Sequence, residues 1–333
     1  MTRASQVIAL LTIALGPAAI SGCGGSSKQR SHSSVNAPGS PNASATHKPP
    51  LAVSVTTLGR LPAAVKDAAA TALGDGSTVL LGGIDSSGGS TDAITTVRGA
   101  SVLASGSLPN AQHDAQAATL GSEVYVFGGG QSTSYAHILR FDPRSGGVTV
   151  VGSLPAPASD VAVAAIGDTA YVVGGYDGTR ALDTITAWRA GSQPRVVGQL
   201  PFGLRYAAVA AIGDRLIIAG GTVAGGVSDS VLSFDTSSRS VSRLAHLPWP
   251  LTHSAAVALA GRVLLIGGRR ALSDSRTTAI LSIDPVSGQS QIAGHLPQPL
   301  SDAMVSSGGG QVIVAGGENT AGLQSSVLAL TSR

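Results

Sequence analysis

Two sets of polar residues stand at corresponding places along the 333-residue chain. The first comprises Lys66-Asp67, His113-Asp114, Ser159-Asp160, Arg205-Tyr206, His253 and Ser301-Asp302. The second follows a series of Gly-Gly pairs and comprises Asp85, Gln131, Tyr176-Asp177, Arg269-Arg270 and Glu318-Asn319. Carboxylates, guanidinium groups, imidazoles and phenols at one place suit a polyol, a sugar or a polar peptide, because each hydroxyl can both donate and accept. The same types could supply an acid–base pair, with an arginine for a substrate carboxylate, which is enough for proton transfer on a sugar ring. The candidate ligand-binding residues are Lys66, Asp67, His113, Asp114, Asp160, Arg205, Tyr206, His253, Asp302, Tyr176, Arg269 and Glu318. Polar residues at such places also cap strand ends and line wet channels, which is the ordinary role of any one of them.

Other chemistries lack their parts. His113 and His253 fall in separate repeats, without the local spacing of a metal site. Neither a Gly-x-Ser-x-Gly elbow nor an Asp-x-Asp-x-Asp-Gly calcium loop occurs. No metal and no cofactor is expected. The formal charge of +3 is misleading, because Arg3, Lys28, Arg30 and Lys48 fall in the first 50 residues, which hold no Asp or Glu. From residue 51 onward 17 basic residues face 18 acidic ones, so the domain lacks the basic footprint of a nucleic-acid partner.

The elements that must position these residues are repeats. Gly-Gly ends an apolar run at 82, 128, 174, 220, 267 and 316, with spacings of 46, 46, 46, 47 and 49 residues. Leu-Pro recurs in step at 61, 108, 154, 200, 247 and 296. Each unit accommodates four strands, a to d. Strand a is rich in small residues, as in Val161–Ile166, and a tight turn such as Gly213-Asp214 follows it. Strand b is almost continuously apolar, as in Val124–Phe127, which fits burial on both faces. Strand c, as in His137–Phe141, leads through an Asp-Pro or Asp-Thr turn to strand d. Six four-stranded units predict an all-β, six-bladed propeller over residues 51–333. The innermost strands converge on one axis, where bulky side chains would collide.

Residues 51–58 precede the first Leu-Pro and match strand d, whereas the last unit ends at strand c. The N-terminal strand must therefore complete the last blade. An up-and-down meander places the d–a and b–c connections on one face. The b–c loops run about ten residues, and long loops on a rigid scaffold are where binding resides.

These repeats resemble the kelch family, whose units carry a Gly-Gly after strand b and, usually, spaced Tyr and Trp residues. Phe141 and Phe234 occupy the Tyr-like place in two units, but no unit has the Trp that follows it. The resemblance implies a binding or scaffold module rather than an enzyme, for a glycan or an envelope protein through the d–a/b–c face. It also brings two enzymatic precedents. The copper-oxidase chemistry of the galactose oxidase family needs a Tyr cross-linked to Cys, and the only cysteine here is Cys23. Kelch-type sialic-acid mutarotases imply the alternative of a sugar mutarotase or epimerase, with parts available in Arg205, Arg269, His113, Asp114 and Glu318.

Residues 1–22 read as an export signal, with Arg3 ahead of the largely apolar run Val7–Ile20. Ile20-Ser21-Gly22-Cys23 resembles a bacterial lipobox, which implies lipidation at Cys23 and a location outside the cytoplasm on the cell membrane of a bacterial envelope. Residues 23–50 then form a Ser/Pro-rich tether. With a single cysteine, no disulfide can form within the domain.

Overall fold

The computed structural model describes residues 51–273 and 275–333; the expected export signal, the lipidation expected at Cys23 and the expected tether fall on residues outside them. Six four-stranded antiparallel sheets follow one another as blades. Blade 1 consists of strands a to d at Ala69–Ala72, Thr78–Leu81, Ala93–Arg98 and Ser101–Ser107. Blade 3 repeats the pattern at Ala162–Ile166, Thr169–Val173, Thr184–Trp188 and Arg195–Gln199. Blade 6 takes strands a, b and c from Met304–Gly308, Gln311–Ala315 and Ser326–Ser332. Its outermost strand is Val53–Arg60, paired antiparallel with Ser326–Ser332 from Val53 opposite Ser332 to Arg60 opposite Ser326. The closure expected from the sequence is therefore present.

Each blade interface is filled by its own apolar cluster. Between blades 2 and 3, Tyr125, Phe127 and Ile138 pack on Val172 and Trp188, with the Phe127 and Trp188 rings edge-on at 5.6 Å. Trp188 ends strand c, the place held by Phe141 and Phe234 in the neighbouring blades, and all three are at most 1 % exposed. Strand b is buried along most of its length because a blade covers it on either side; Thr78–Leu81 is buried at all four positions.

The Gly-Gly pairs are where one blade meets the next. The first glycine of every pair lies at φ between 60 and 72°. A Cβ there would stand 2.0–2.4 Å from a backbone carbonyl oxygen of the following blade, as Gly128 does against Ala158. The second glycine donates its N–H to that same carbonyl, at 2.7–2.9 Å in all six copies. No side chain fits this contact, which accounts for glycine at both places.

Candidate functional site

The residue that begins the descent into strand a has left-handed backbone in every blade. Asp67, Asp114, Asp160, Tyr206, His253 and Asp302 all lie at φ 50–58°. Asp tolerates this region better than most residues; Tyr and His there mark a position the surroundings impose. What imposes it is a collar of backbone hydrogen bonds about the axis. Asp114 donates its N–H to Asp67 O at 3.0 Å, Asp160 to Asp114 at 2.9 Å and Tyr206 to Asp160 at 3.0 Å. Asp302 donates to His253 and Asp67 to Asp302, both at 3.1 Å. One side chain per blade is thereby aimed at the channel mouth.

A second contact brings the b–c loops to the collar. The residue before each collar position pairs with the residue after each Gly-Gly: Lys66 with Ile84, Ser159 with Tyr176, Arg205 with Thr222, Thr252 with Arg269 and Ser301 with Glu318. In this way Tyr176, Arg269 and Glu318, remote in sequence, arrive beside the Asp ring.

All twelve residues singled out from the sequence form one connected set. Lys66 reaches Glu318 at 3.1 Å and Asp67 at 3.7 Å. Arg269 bridges Asp302 at 2.5 Å and Glu318 at 3.2 Å. His253 stands 3.8 Å from Asp302 and stacks on Tyr206, with centroids 3.8 Å apart. The Tyr206 hydroxyl donates to Asp114 at 3.2 Å, and His113 is 3.6 Å from the same carboxyl. Arg205 pairs with Asp160 and lies 4.1 Å over the Tyr176 ring. Sequence reasoning missed Arg276, which reaches Glu318 at 2.8 Å and Ser301 at 3.0 Å. The Ser301 hydroxyl, placed beside Asp302 already in the sequence, joins these arginines to that carboxylate. Arg276 stands opposite Arg269, at the place held by Ser90, Ser134 and Ala181 in blades 1 to 3, so no repeated charge marks it in the sequence.

Burial sets the protonation of this ring. Burial, then the Asp302 and Asp114 carboxyls, push Asp67 well above the usual carboxylate range. Burial and the neighbouring Asp160 do the same to Asp114. Burial pushes His253 down to about 4, against the pull of Asp302, and also lowers His113. Burial works against the charge of Asp302, yet His253, Arg269 and Ser301 hold it below its ordinary value. Glu318 is likewise held low, despite burial, by Lys66 and Arg276. Burial thus favours the neutral forms of Asp67, Asp114, His113 and His253. The cations Lys66, Arg205, Arg269 and Arg276 each touch a carboxylate, and Glu318 is shared by Lys66, Arg269 and Arg276.

Below the collar the channel narrows to a cavity of about 90 Å³ lined by the four aspartates, Tyr206 and His253. It continues between the small side chains of strand a, such as Ala70, Ala117, Ala164, Ala210 and Ala256, into a cavity of about 300 Å³ at the far end. The throat accommodates a few waters, so a ligand larger than these sits on the collar, among the loops. Among the described residues no group of three or more His, Cys, Asp or Glu has the arrangement of a metal site.

Comparison with known proteins agrees with the architecture. The family described as Kelch motif matches residues 157–188, which carry strands a, b and c of blade 3. A solved structure titled "Structure of YjhT" superposes with a TM-score of 0.71 at 16% identity, covering 83% of this chain and 97% of that one. At that identity the likeness is one of fold. No curated protein matches the chain.

Proposed function

From this six-bladed propeller of kelch repeats, we propose a binding module that takes a neutral, hydroxyl-rich glycan on the d–a/b–c face. One observation carries the reading: the four cations of the ring, Lys66, Arg205, Arg269 and Arg276, each already touch a carboxylate, with Glu318 serving three of them. An anionic ligand would have to compete with Asp160, Asp302 and Glu318 for the cations they already hold. A sugar hydroxyl can accept from a guanidinium and donate to its carboxylate without breaking the pair. The Tyr176 ring, with Arg205 over it, offers a flat wall for the apolar face of a pyranose. Anchored through Cys23 and the tether, the module would work on the outer side of a bacterial cell membrane, where glycans and envelope proteins are at hand.

The test is a glycan-binding screen with the wild-type chain and with Tyr176→Ala and His113→Ala, two half-buried residues outside the ion pairs of the arginines. The reading expects a neutral glycan among the hits and at least a tenfold weaker Kd in either variant. Hits confined to acidic glycans, or variants that bind as wild type does, would overturn it.

A second reading, a sugar mutarotase, has an observation of its own. Burial and Asp160 push the Asp114 carboxyl well above the usual carboxylate range, favouring its protonated form, next to the Tyr206 hydroxyl and His113, whose imidazole burial pushes down. Such a pair could take the proton of an anomeric hydroxyl and return one to the ring oxygen. NMR exchange between anomers, faster with the protein than without and lost in Asp114→Asn, would support catalysis. Binding without accelerated exchange leaves the module alone standing.

A further inference from the structure

A cavity of about 470 Å³, larger than those of the channel, opens on the opposite face, where the a–b and c–d turns lie. Tyr171, Arg189, Gln193 and Arg195 of blade 3 line it, with Thr236 and Arg239 of blade 4. Its size is within the roughly 300–1,000 Å³ range of small-molecule sites. Arg189 is positioned by Thr169, to which its Nε donates at 2.7 Å, and by Asp168 at 3.4 Å. Arg195 and Arg239 have neither a side-chain hydrogen bond nor an ion pair among the described residues. This is the reverse of the mouth, where every guanidinium of the ring touches a carboxylate.

The backbone at Arg239 adds an independent observation. In the c–d turns of blades 2 and 5 the fourth residue after the leading aspartate is Gly146 or Gly288, at φ 73 and 72°. Blade 4 has the same turn, with Asp235 accepting the N–H groups of Ser237 and Ser238. Yet it places Arg239 at the glycine position, at φ 57°. A long cation is held in backbone that its neighbours assign to glycine, at the rim of a cavity that already contains two other arginines. Such backbone costs a residue other than glycine about 1–2 kcal/mol, and here it places a guanidinium at the rim.

We propose that this groove binds a phosphate ester. Arginine forks match the oxygens of a phosphoryl group, and the Tyr171 ring beside them gives its organic part an apolar wall. The ester can belong to a soluble phosphorylated metabolite or to a phospholipid headgroup. Both ends of the closing strand pair, Val53 and Ser332, lie on this same face of the ring.

The experiment compares wild-type chain with Arg239→Gly and Arg195→Ala, using glycerol 3-phosphate by calorimetry and flotation with phosphatidylglycerol against phosphatidylcholine vesicles. Arg239→Gly should raise Tm by about 2–4 °C, because it restores the residue the turn favours, so lost binding cannot be ascribed to lost fold. At least a tenfold loss of glycerol 3-phosphate affinity in both variants assigns a soluble ester. A preference for phosphatidylglycerol vesicles that both variants lose, without glycerol 3-phosphate binding, assigns a lipid headgroup. Binding to neither probe, or binding undiminished in the variants, overturns the proposal.

Discussion

Asp114 and His253 stand in the same collar, and burial drives both toward the uncharged form. Their effects on stability run in opposite directions with pH. For Asp114 the folded state binds its proton more tightly than the unfolded chain, so its contribution is complete at low pH and is lost as pH rises above about 4. Asp114→Asn keeps the left-handed backbone and an acceptor for the Tyr206 hydroxyl while removing the titration. Its Tm relative to wild type should therefore climb between pH 5 and pH 8; a difference that does not vary with pH would show that Asp114 is ionised in the fold. For His253 the unfolded chain binds the proton more tightly, so stability falls as pH drops from about 6.5 to about 4. The loss amounts to at most about 3 kcal/mol. His253→Asn, also compatible with its φ of 53°, should flatten that acid limb in a series of denaturant melts; an acid limb as steep as that of wild type would assign the loss to other groups.

At the scale of the element, the Gly-Gly pair separates two costs that one substitution usually mixes. Gly128 and Gly167 have nearly the same backbone, φ 63 and 60°. A Cβ on Gly167 meets nothing within 4 Å, whereas on Gly128 it meets Ala158 O at 2.0 Å. Gly167→Ala should then cost only the left-handed penalty, about 1–2 kcal/mol. Gly128→Ala must also push blade 3 away from blade 2, and several kcal/mol more are expected. Equal losses in chemical denaturation would mean that the interface yields freely and is not what selects glycine. These glycines made the blades legible in the sequence, because a contact no side chain can enter leaves the same residue at the same phase six times. Strand c was readable less fully: Phe141 and Phe234 stood out, but Trp188, at the same place in blade 3, shows its equivalence only through its packing on Phe127. The collar residues were legible as a phase too, since each stands six residues after the Leu of its Leu-Pro pair. Arg276 and the groove at Arg239 were not, because no other blade carries a charge at the place of Arg276 and the groove is built from hairpins of adjacent blades.

For the whole molecule, closure decides whether the six interfaces act as one unit. A linear array would leave blades 1 and 6 each with an uncovered face, and the blade 6–1 cluster, with Leu61, Ala68, Met304 and Ile313, would be lost. The ring is held shut by Val53–Arg60, the one strand that must come from the far end of the chain. Val53 is 4 % exposed, and Leu51 and Val55 pack beside it on the cluster between blades 5 and 6. Removing these three side chains forgoes up to about 1.5–3 kcal/mol apiece, and it leaves the Ser326–Ser332 strand as an open edge. Such a sum is comparable with the 5–15 kcal/mol that holds a typical domain folded. Deleting residues 51–60 should therefore abolish the cooperative melt of the entire propeller rather than loosen one blade. A synthetic peptide of residues 51–62, added in trans, should restore it by pairing with Ser326–Ser332, since the register along that strand is set by seven residue pairs. If the deleted chain melts at the wild-type temperature, the ring does not depend on this strand, and stability resides in blades that fold independently.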